Sequence, residues 1–257
     1  MAFNSLLGTL FDYELHRKSA LNDRFEELID KGSWRFDLQF YAEISKNCSS
    51  DVLDLMEKSK AQLRQDIFAI IELDFMSGGF FVDFGAYDGI TLSNSYMLEK
   101  HFGFKGILSE PNPKFAKMIP KYRKAVVEDK CVWSASGEIL EFVDAGKIST
   151  IKDFADSDMH SHLRQNRLSF EVETITLTDM LQKHGAPAKI DYLSVDTEGS
   201  EFEILNSHDF SKFSFKVITV EHAFTSQREK IYNLLTKHGY ARKFEELSMF
   251  DDWYVLT

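Results

Sequence analysis

Three short stretches place carboxylates beside glycine or histidine at the ends of apolar runs. Asp83-Phe84-Gly85-Ala86-Tyr87-Asp88-Gly89 closes a run that begins at Phe80. Asp196-Thr197-Glu198-Gly199-Ser200-Glu201 closes the run from Ile190 to Val195, and Glu221-His222 closes the run from Phe215. Carboxylates and imidazoles accept protons near neutral pH or hold cations. Glycine lets the backbone turn sharply and approach a ligand, because it carries no Cβ.

A pyrophosphate seeks bare amides at a helix N-terminus, and acidic turns repel it. A ligand with a sulfonium and an ammonium suits them. The first turn therefore points to S-adenosylmethionine and away from a dinucleotide. An NAD-dependent oxidoreductase would carry G-x-G-x-x-G after the first strand, and here Tyr87 stands between Gly85 and Gly89.

The elements that must hold these turns follow from periodicity. Each apolar run has strand length and leads into helical spacing, so strand, tight turn and helix repeat along the chain. In open α/β sheets, ligands bind outside the carboxyl ends of the strands, where the strand order reverses. A helix is expected from Thr91 to about His101, with Asn94 about one turn inside it. A second strand, Gly106 to Ser109, ends at Glu110-Pro111. Glu110 lies about 20 residues beyond the glycine turn, the spacing at which a carboxylate reaches ribose hydroxyls. A third strand is expected over Ala125 to Val132, which places Cys131, Val132 and Trp133 as flanks for an adenine. Glu138 to Phe142 alternates like an extra hairpin strand. A strand at Val172 to Thr176 leads to a helix capped at Thr178. The chain closes with an antiparallel pair, Tyr240 to Phe244 and Asp252 to Leu256.

The remaining segments carry less chemistry. Residues 1–75 are expected to form a helical N-terminal extension, with helical spacing through Leu6, Leu10, Phe25 and Leu28. Residues 76–257 form the ligand-binding domain. Gln62-Leu63-Arg64-Gln65-Asp66 reads on its own as a solvated helix face. Asp144 to about Phe170 is polar and weakly periodic, which fits either a functional lid or a partly disordered segment. His160 and His162 within it lack the carboxylate or cysteine spacing of a metal site and read as exposed loop residues.

Composition narrows the classes. The chain has 257 residues, 44% hydrophobic and 28% charged, enough for a sizeable core. Its 23 Phe residues are read as packing. A formal net charge of -11 disfavours a wrapped nucleic-acid partner, which needs clustered Lys and Arg. The two cysteines, Cys48 and Cys131, have no CxxC spacing and fit a reducing compartment. No basic leader precedes an apolar stretch, and no run reaches the ~18 apolar residues of a membrane span. A cytoplasmic protein is expected, with a homo-oligomer left open.

Six motifs in order resemble the FkbM family of S-adenosylmethionine-dependent methyltransferases, from about Lys60 to the C-terminus. They are Gln62-x-x-Gln65-Asp66, Phe81-x-Asp83-x-Gly85-x-x-Asp88-Gly89, Ser93-Asn94-x-Tyr96, Glu110-Pro111-x-Pro113, Asp196-x-Glu198-Gly199-x-Glu201 and Glu221-His222. The resemblance implies a class I Rossmann-like α/β fold, with a mostly parallel seven-stranded sheet and an antiparallel C-terminal hairpin. It implies O-methylation of a hydroxyl on a sugar, glycan or natural-product-like small molecule. Asp83, Gly85, Ala86 and Asp88 are assigned to the methionine end of the cofactor, Glu110 to the ribose, and Val132 and Trp133 to the adenine, with Tyr87, Gly89, Asn94, Pro111 and Asp196 as further cofactor-binding candidates.

Methyl transfer to an alcohol gains from a base within hydrogen-bond reach. His222 is the first choice, followed by Asp196 and Glu198 and then Glu221. A divalent ion such as Mg²⁺, held by Asp196, Glu198 and Glu221, is the alternative way to lower the hydroxyl pKa. A methyltransferase-like domain kept only for protein contacts would be expected to lose the acids at Asp196 to Glu201, and all are present.

Overall fold

The computed structural model describes residues 34–46, 48, 51–156 and 161–257. The helical spacing read before Trp34, and His160, lie outside the described residues. Two compact units divide the chain, residues 1–53 and 54–257. In the first, α1 (Trp34–Ile44) carries an apolar face and a polar one. Helix α2 (Val52–Lys58) starts where Oδ1 of Asp51 accepts a hydrogen bond from the Leu53 amide at 3.1 Å.

The division falls before residue 54. The reason is α3 (Gln65–Glu72), whose residues Gln65 to Ile70 are all buried. It belongs to the sheet unit, so the expected solvated face at Gln62 to Asp66 is not what forms.

The sheet has seven strands in the order β10-β11-β9-β8-β1-β2-β3. They are β1 (Phe80–Phe84), β2 (Lys105–Ser109), β3 (Val126–Glu128), β8 (Lys189–Val195), β9 (Ser214–Glu221), β10 (Tyr240–Lys243) and β11 (Asp251–Leu256). Strands β9, β8, β1, β2 and β3 run parallel, and β11 is antiparallel to both β9 and β10. Parallel strands are covered on both faces, which is why β1 and β8 read as near-continuous apolar runs. Phe81, Val82, Leu193, Val195, Ile218 and Val220 are fully buried. Fully burying such a side chain stabilises by roughly 1.5–3 kcal/mol. The chain order reverses between β1 and β8, whose register pairs Phe81 with Tyr192 and Asp83 with Ser194.

Around the sheet stand α4 (Tyr96–Phe102), the short α5 (Pro113–Ala116), α7 (Leu177–Lys183), α8 (Glu201–Asn206) and α9 (Gln227–Lys237). A second sheet, β4-β7-β5-β6, holds β4 (Cys131–Val132), β5 (Ile139–Val143), β6 (Thr150–Ile151) and β7 (Ser169–Ile175). The short helix α6 (Ser161–Arg164) lies in the connection from β6 to β7.

Three boundaries differ from expectation. The third strand is two strands, because the chain leaves the large sheet after Glu128. That fully buried carboxylate accepts from Lys183 Nζ at 2.8 Å and contacts His184 Nε2 at 2.7 Å. Helix α4 starts at Tyr96 and not at Thr91, for a reason given below. Helix α7 is capped two residues earlier than Thr178. Oγ1 of Thr176 accepts from the Asp179 amide at 3.1 Å, and Thr178 instead contacts His208 Nδ1.

Candidate active site

The turns after β1 and β8 touch each other at the point of reversal. Gly85 adopts φ 72°, and a Cβ there would lie 2.1 Å from the carbonyl oxygen of Asp196. No other residue fits, for both reasons.

A web of hydroxyls and one buried guanidinium shapes the loop that follows. Both carboxylate oxygens of Asp88 bond forward: Oδ1 accepts from the Ile90 and Thr91 amides, and Oδ2 from the Thr91 hydroxyl. This local turn competes with helix and delays α4. Asp83 is buried below the loop and accepts from the Ser95 hydroxyl at 2.6 Å. Arg123 bonds Glu99 Oε2, the Gly89 carbonyl, Ser93 Oγ and Ser95 Oγ at 2.8–3.1 Å. A lone buried guanidinium would be costly, and these partners satisfy it. Asp83, Ala86, Asp88 and Gly89 thus shape the loop and line neither of the two cavities described next.

The first cavity lies at the ends of β1, β2 and β4. Its walls include Phe84, Glu110, Pro111, Val132, Phe142 and Ile151. Glu110 is buried, and its two oxygens accept from the Tyr87 and Asn112 amides at 2.8 Å each. Burial pushes this carboxyl up to about 7 against the pull of those amides. Cys131 also lines the cavity, and burial pushes its thiol up to about 12, which leaves it a small apolar wall. Trp133 does not reach the cavity. Its ring packs edge-on against Phe154, with centroids 5.8 Å apart.

The second cavity lies at the ends of β8 and β9. Gln62, Gln65, Asn94, Leu92, Glu221 and Phe250 line it. Gly85, Tyr87, Lys147, Asp196 and Glu198 line both cavities and mark where they meet. Gln65 is held at both ends: its Oε1 accepts from the Leu63 amide, and its Nε2 donates to Asp251 Oδ2 at 2.7 Å. Asn94 donates through Nδ2 to Ser194 Oγ at 3.0 Å, while its buried Oδ1 has no donor. Carboxylate oxygens of Asp196 and Glu221 lie within 4.8 Å of one another, and Glu221 Oε2 is buried without a donor. Burial, then the Glu201 charge, pushes Asp196 up to about 7. Burial, then the Asp196 charge, pushes Glu221 well above the usual carboxylate range. Several walls of this cavity are non-glycine residues in left-handed backbone: Tyr87, Leu92, Glu198 and Ala223. Such strain gathers at functional sites.

His222 takes a different part from the one its neighbours suggest. Its Nδ1 accepts from the Phe224 amide at 3.0 Å, so Nε2 carries the proton and donates to the Asp251 carbonyl at 3.1 Å. Burial holds the ring neutral. With both nitrogens bonded to backbone and the ring outside both cavities, His222 ties the end of β9 to the start of β11 and is not placed as a base. Glu201 likewise turns back on its own helix end and accepts from the Thr197 and Gly199 amides.

A family model described as the methyltransferase FkbM domain matches residues 83–242. This chain belongs to the FkbM methyltransferase family. The family implies S-adenosylmethionine as the methyl donor. Among curated proteins none matches. Among solved structures, the chain is similar to an FkbM methyltransferase from Methylobacillus flagellatus, at 13% identity and a TM-score of 0.44 over 69% of this chain and 43% of that one. The chain therefore spans less than half the length of that relative. A precorrin-6y C5,15-methyltransferase from Geobacter metallireducens matches at 13% identity and a TM-score of 0.41, over 74% of this chain and 86% of that one. A methyltransferase from Pyrococcus furiosus matches at 12% identity and a TM-score of 0.38, over 74% and 81%. No helix among the described residues is long and apolar enough to cross a membrane.

The acids of this methyltransferase bear on the question of a metal. Ligand oxygens of Asp196, Glu198 and Glu221 lie within 4.8 Å of one another. Oε2 of Glu198 already takes the Arg164 guanidinium at 2.6 Å, so a cation held by all three acids would compete with that ion pair. Arg123 and Arg164 were not legible as site residues, because each reaches its partners across 9 to 34 positions. Phe142 and Ile151 were missed for a related reason: they come from the second sheet, which no motif announces.

Proposed function

We propose that this methyltransferase transfers the methyl group of S-adenosylmethionine to a hydroxyl of a sugar, glycan or natural-product-like small molecule. The observation that carries this reading is the meeting of two cavities at Gly85, Tyr87, Asp196 and Glu198. One has an apolar wall and a ribose-seeking acid. The other has amides and carboxylates. The adenosine would lie in the first, with Val132, Phe142 and Ile151 against the base and Glu110 accepting from the ribose hydroxyls. Each Glu110 oxygen keeps a lone pair after serving its backbone amide. Asn94 Oδ1 would accept from the donor's ammonium.

The acceptor hydroxyl would enter the second cavity beside Asp196 and Glu221. In-line displacement needs oxygen, methyl and sulfur aligned, and alignment alone supplies a large part of the acceleration. As the O–CH₃ bond forms and the S–CH₃ bond breaks, the hydroxyl proton passes to the carboxylate of the pair that is unprotonated. Burial and mutual repulsion raise the affinity of this pair for a proton, which matches it to work near neutral pH.

The test is incubation with methyl-labelled S-adenosylmethionine and a panel of free and nucleotide-linked sugars and polyhydroxylated natural products. The expected product is a labelled methyl ether, formed equally fast with EDTA present. Label on nitrogen or carbon would overturn the O-methyl assignment, and a rate abolished by EDTA and restored by Mg²⁺ would reinstate the metal.

A further inference from the structure

Arg164 ends α6 and carries a guanidinium that is 1% exposed. It lines neither central cavity, yet it grips a wall of each. Nε donates to the Ile148 carbonyl at 2.7 Å, Nη1 to the Ala155 carbonyl at 3.4 Å, and Nη2 to Glu198 Oε2 at 2.6 Å. Thr150 ties the same connection to the same turn, through Oγ1 and the Thr197 and Glu198 carbonyls at 3.2 and 3.0 Å. Glu198 sits at φ 60°, a conformation that a side chain keeps only when its surroundings hold it. It also lines both cavities, so its charge faces the point of transfer.

We propose that Arg164 is a positioning residue that offsets the charge of Glu198 where the donor's sulfonium meets the acceptor cavity. Arg164 has this role only if the donor is S-adenosylmethionine bound as proposed above. During transfer the S–CH₃ bond breaks, the O–CH₃ bond forms, the hydroxyl proton goes to the Asp196–Glu221 pair, and the sulfur departs as a neutral thioether. Positive charge on sulfur is therefore lost on the way to the transition state. An uncompensated Glu198 would hold the cationic ground state more tightly than the transition state, which slows the reaction. The guanidinium removes that imbalance and keeps the Glu198 oxygens fixed. Lys147, Asp196, Glu201, Glu221 and Asp251 stand around the same point.

S-adenosylmethionine and S-adenosylhomocysteine differ by the sulfonium charge, so the ratio of their dissociation constants reads the field at that atom. Calorimetry on the full chain needs no acceptor. Arg164→Gln is expected to shift the ratio about tenfold toward S-adenosylmethionine. Arg164→Lys keeps the charge and is expected to keep the wild-type ratio. Glu198→Gln removes the negative charge and keeps the guanidinium, and it is expected to shift the ratio the other way, which keeps the test decisive if Arg164→Gln does not fold. The double variant returns the ratio toward wild type. If Arg164→Gln and Glu198→Gln weaken both ligands equally, Arg164 only braces the connection and the inference falls. Wild type that binds neither ligand overturns the cofactor reading itself, a distinguishable failure.

Discussion

The two cavities are built from different material. The one beside Glu110 is made of strand ends and the turns directly after them: β1, β2 and β4, with β5 and β6 closing it. Its polar group, Glu110, is held by two backbone amides. The one beside Glu221 draws on α3, the loop before α4, the turn of Gly146–Ile148, β9 and the Phe250 loop. Its walls are strained, and its acids hold one another above their usual range. A strand end presents a ready-made surface for a constant ligand. A convergence of irregular segments can be altered one piece at a time.

This division predicts separable damage. Asp196→Asn is expected to cost about 10³-fold in turnover, within the ~10²–10⁴ that a general base contributes, while S-adenosylhomocysteine binds within a few-fold of wild type. Single-turnover transfer and calorimetry on one preparation check both halves, and equal losses would merge the two cavities into one functional unit. Glu110→Ala reverses the pattern. It frees two buried amides and loses the ribose contacts, about 3 kcal/mol in all or roughly 10²-fold in cofactor affinity. The raised acids should also leave a mark on pH. Asp196 is pushed up to about 7, so turnover at saturating cofactor should rise about tenfold per unit below pH 7 and level above it. The sign for stability is opposite. A carboxyl raised from 3.8 to about 7 on folding favours the folded state most at pH below 3.8, and that contribution is lost as pH rises through 7. Urea midpoints of wild type and Asp196→Asn between pH 5 and 8 check it, with the variant expected to show the flatter profile. The smallest effect belongs to His222→Ala. It should lower stability by about 1–3 kcal/mol through two orphaned backbone groups, with turnover of the folded protein within threefold. A 10³-fold loss of turnover at unchanged fold would return the base to His222.

Much of the fold was legible because its signals are local. Phe80 to Phe84 and Ile190 to Val195 are apolar runs of strand length, and Gly85 and Gly199 mark the turns that follow. Glu110 could be placed by its distance from the glycine turn. The helix boundary at Tyr96 could not, because it depends on Asp88 and Asp83 competing for amides and hydroxyls across the loop. The break after Glu128 depends on Lys183 and His184, more than fifty positions away.

By itself the sequence determined the family, the sheet-forming runs, and which acids stand at strand ends, since periodicity and spacing act within a few residues. Only the tertiary structure decided which acids work together. Asp196 and Glu221 come together and raise one another because β8 and β9 are neighbours in register, with Val195 opposite Val220. His222, one residue further on, is lost to the backbone of β11, and Glu198 is handed to Arg164. A side chain's protonation depends on what lies within a few ångströms of it, and that is set by packing between segments far apart in the chain.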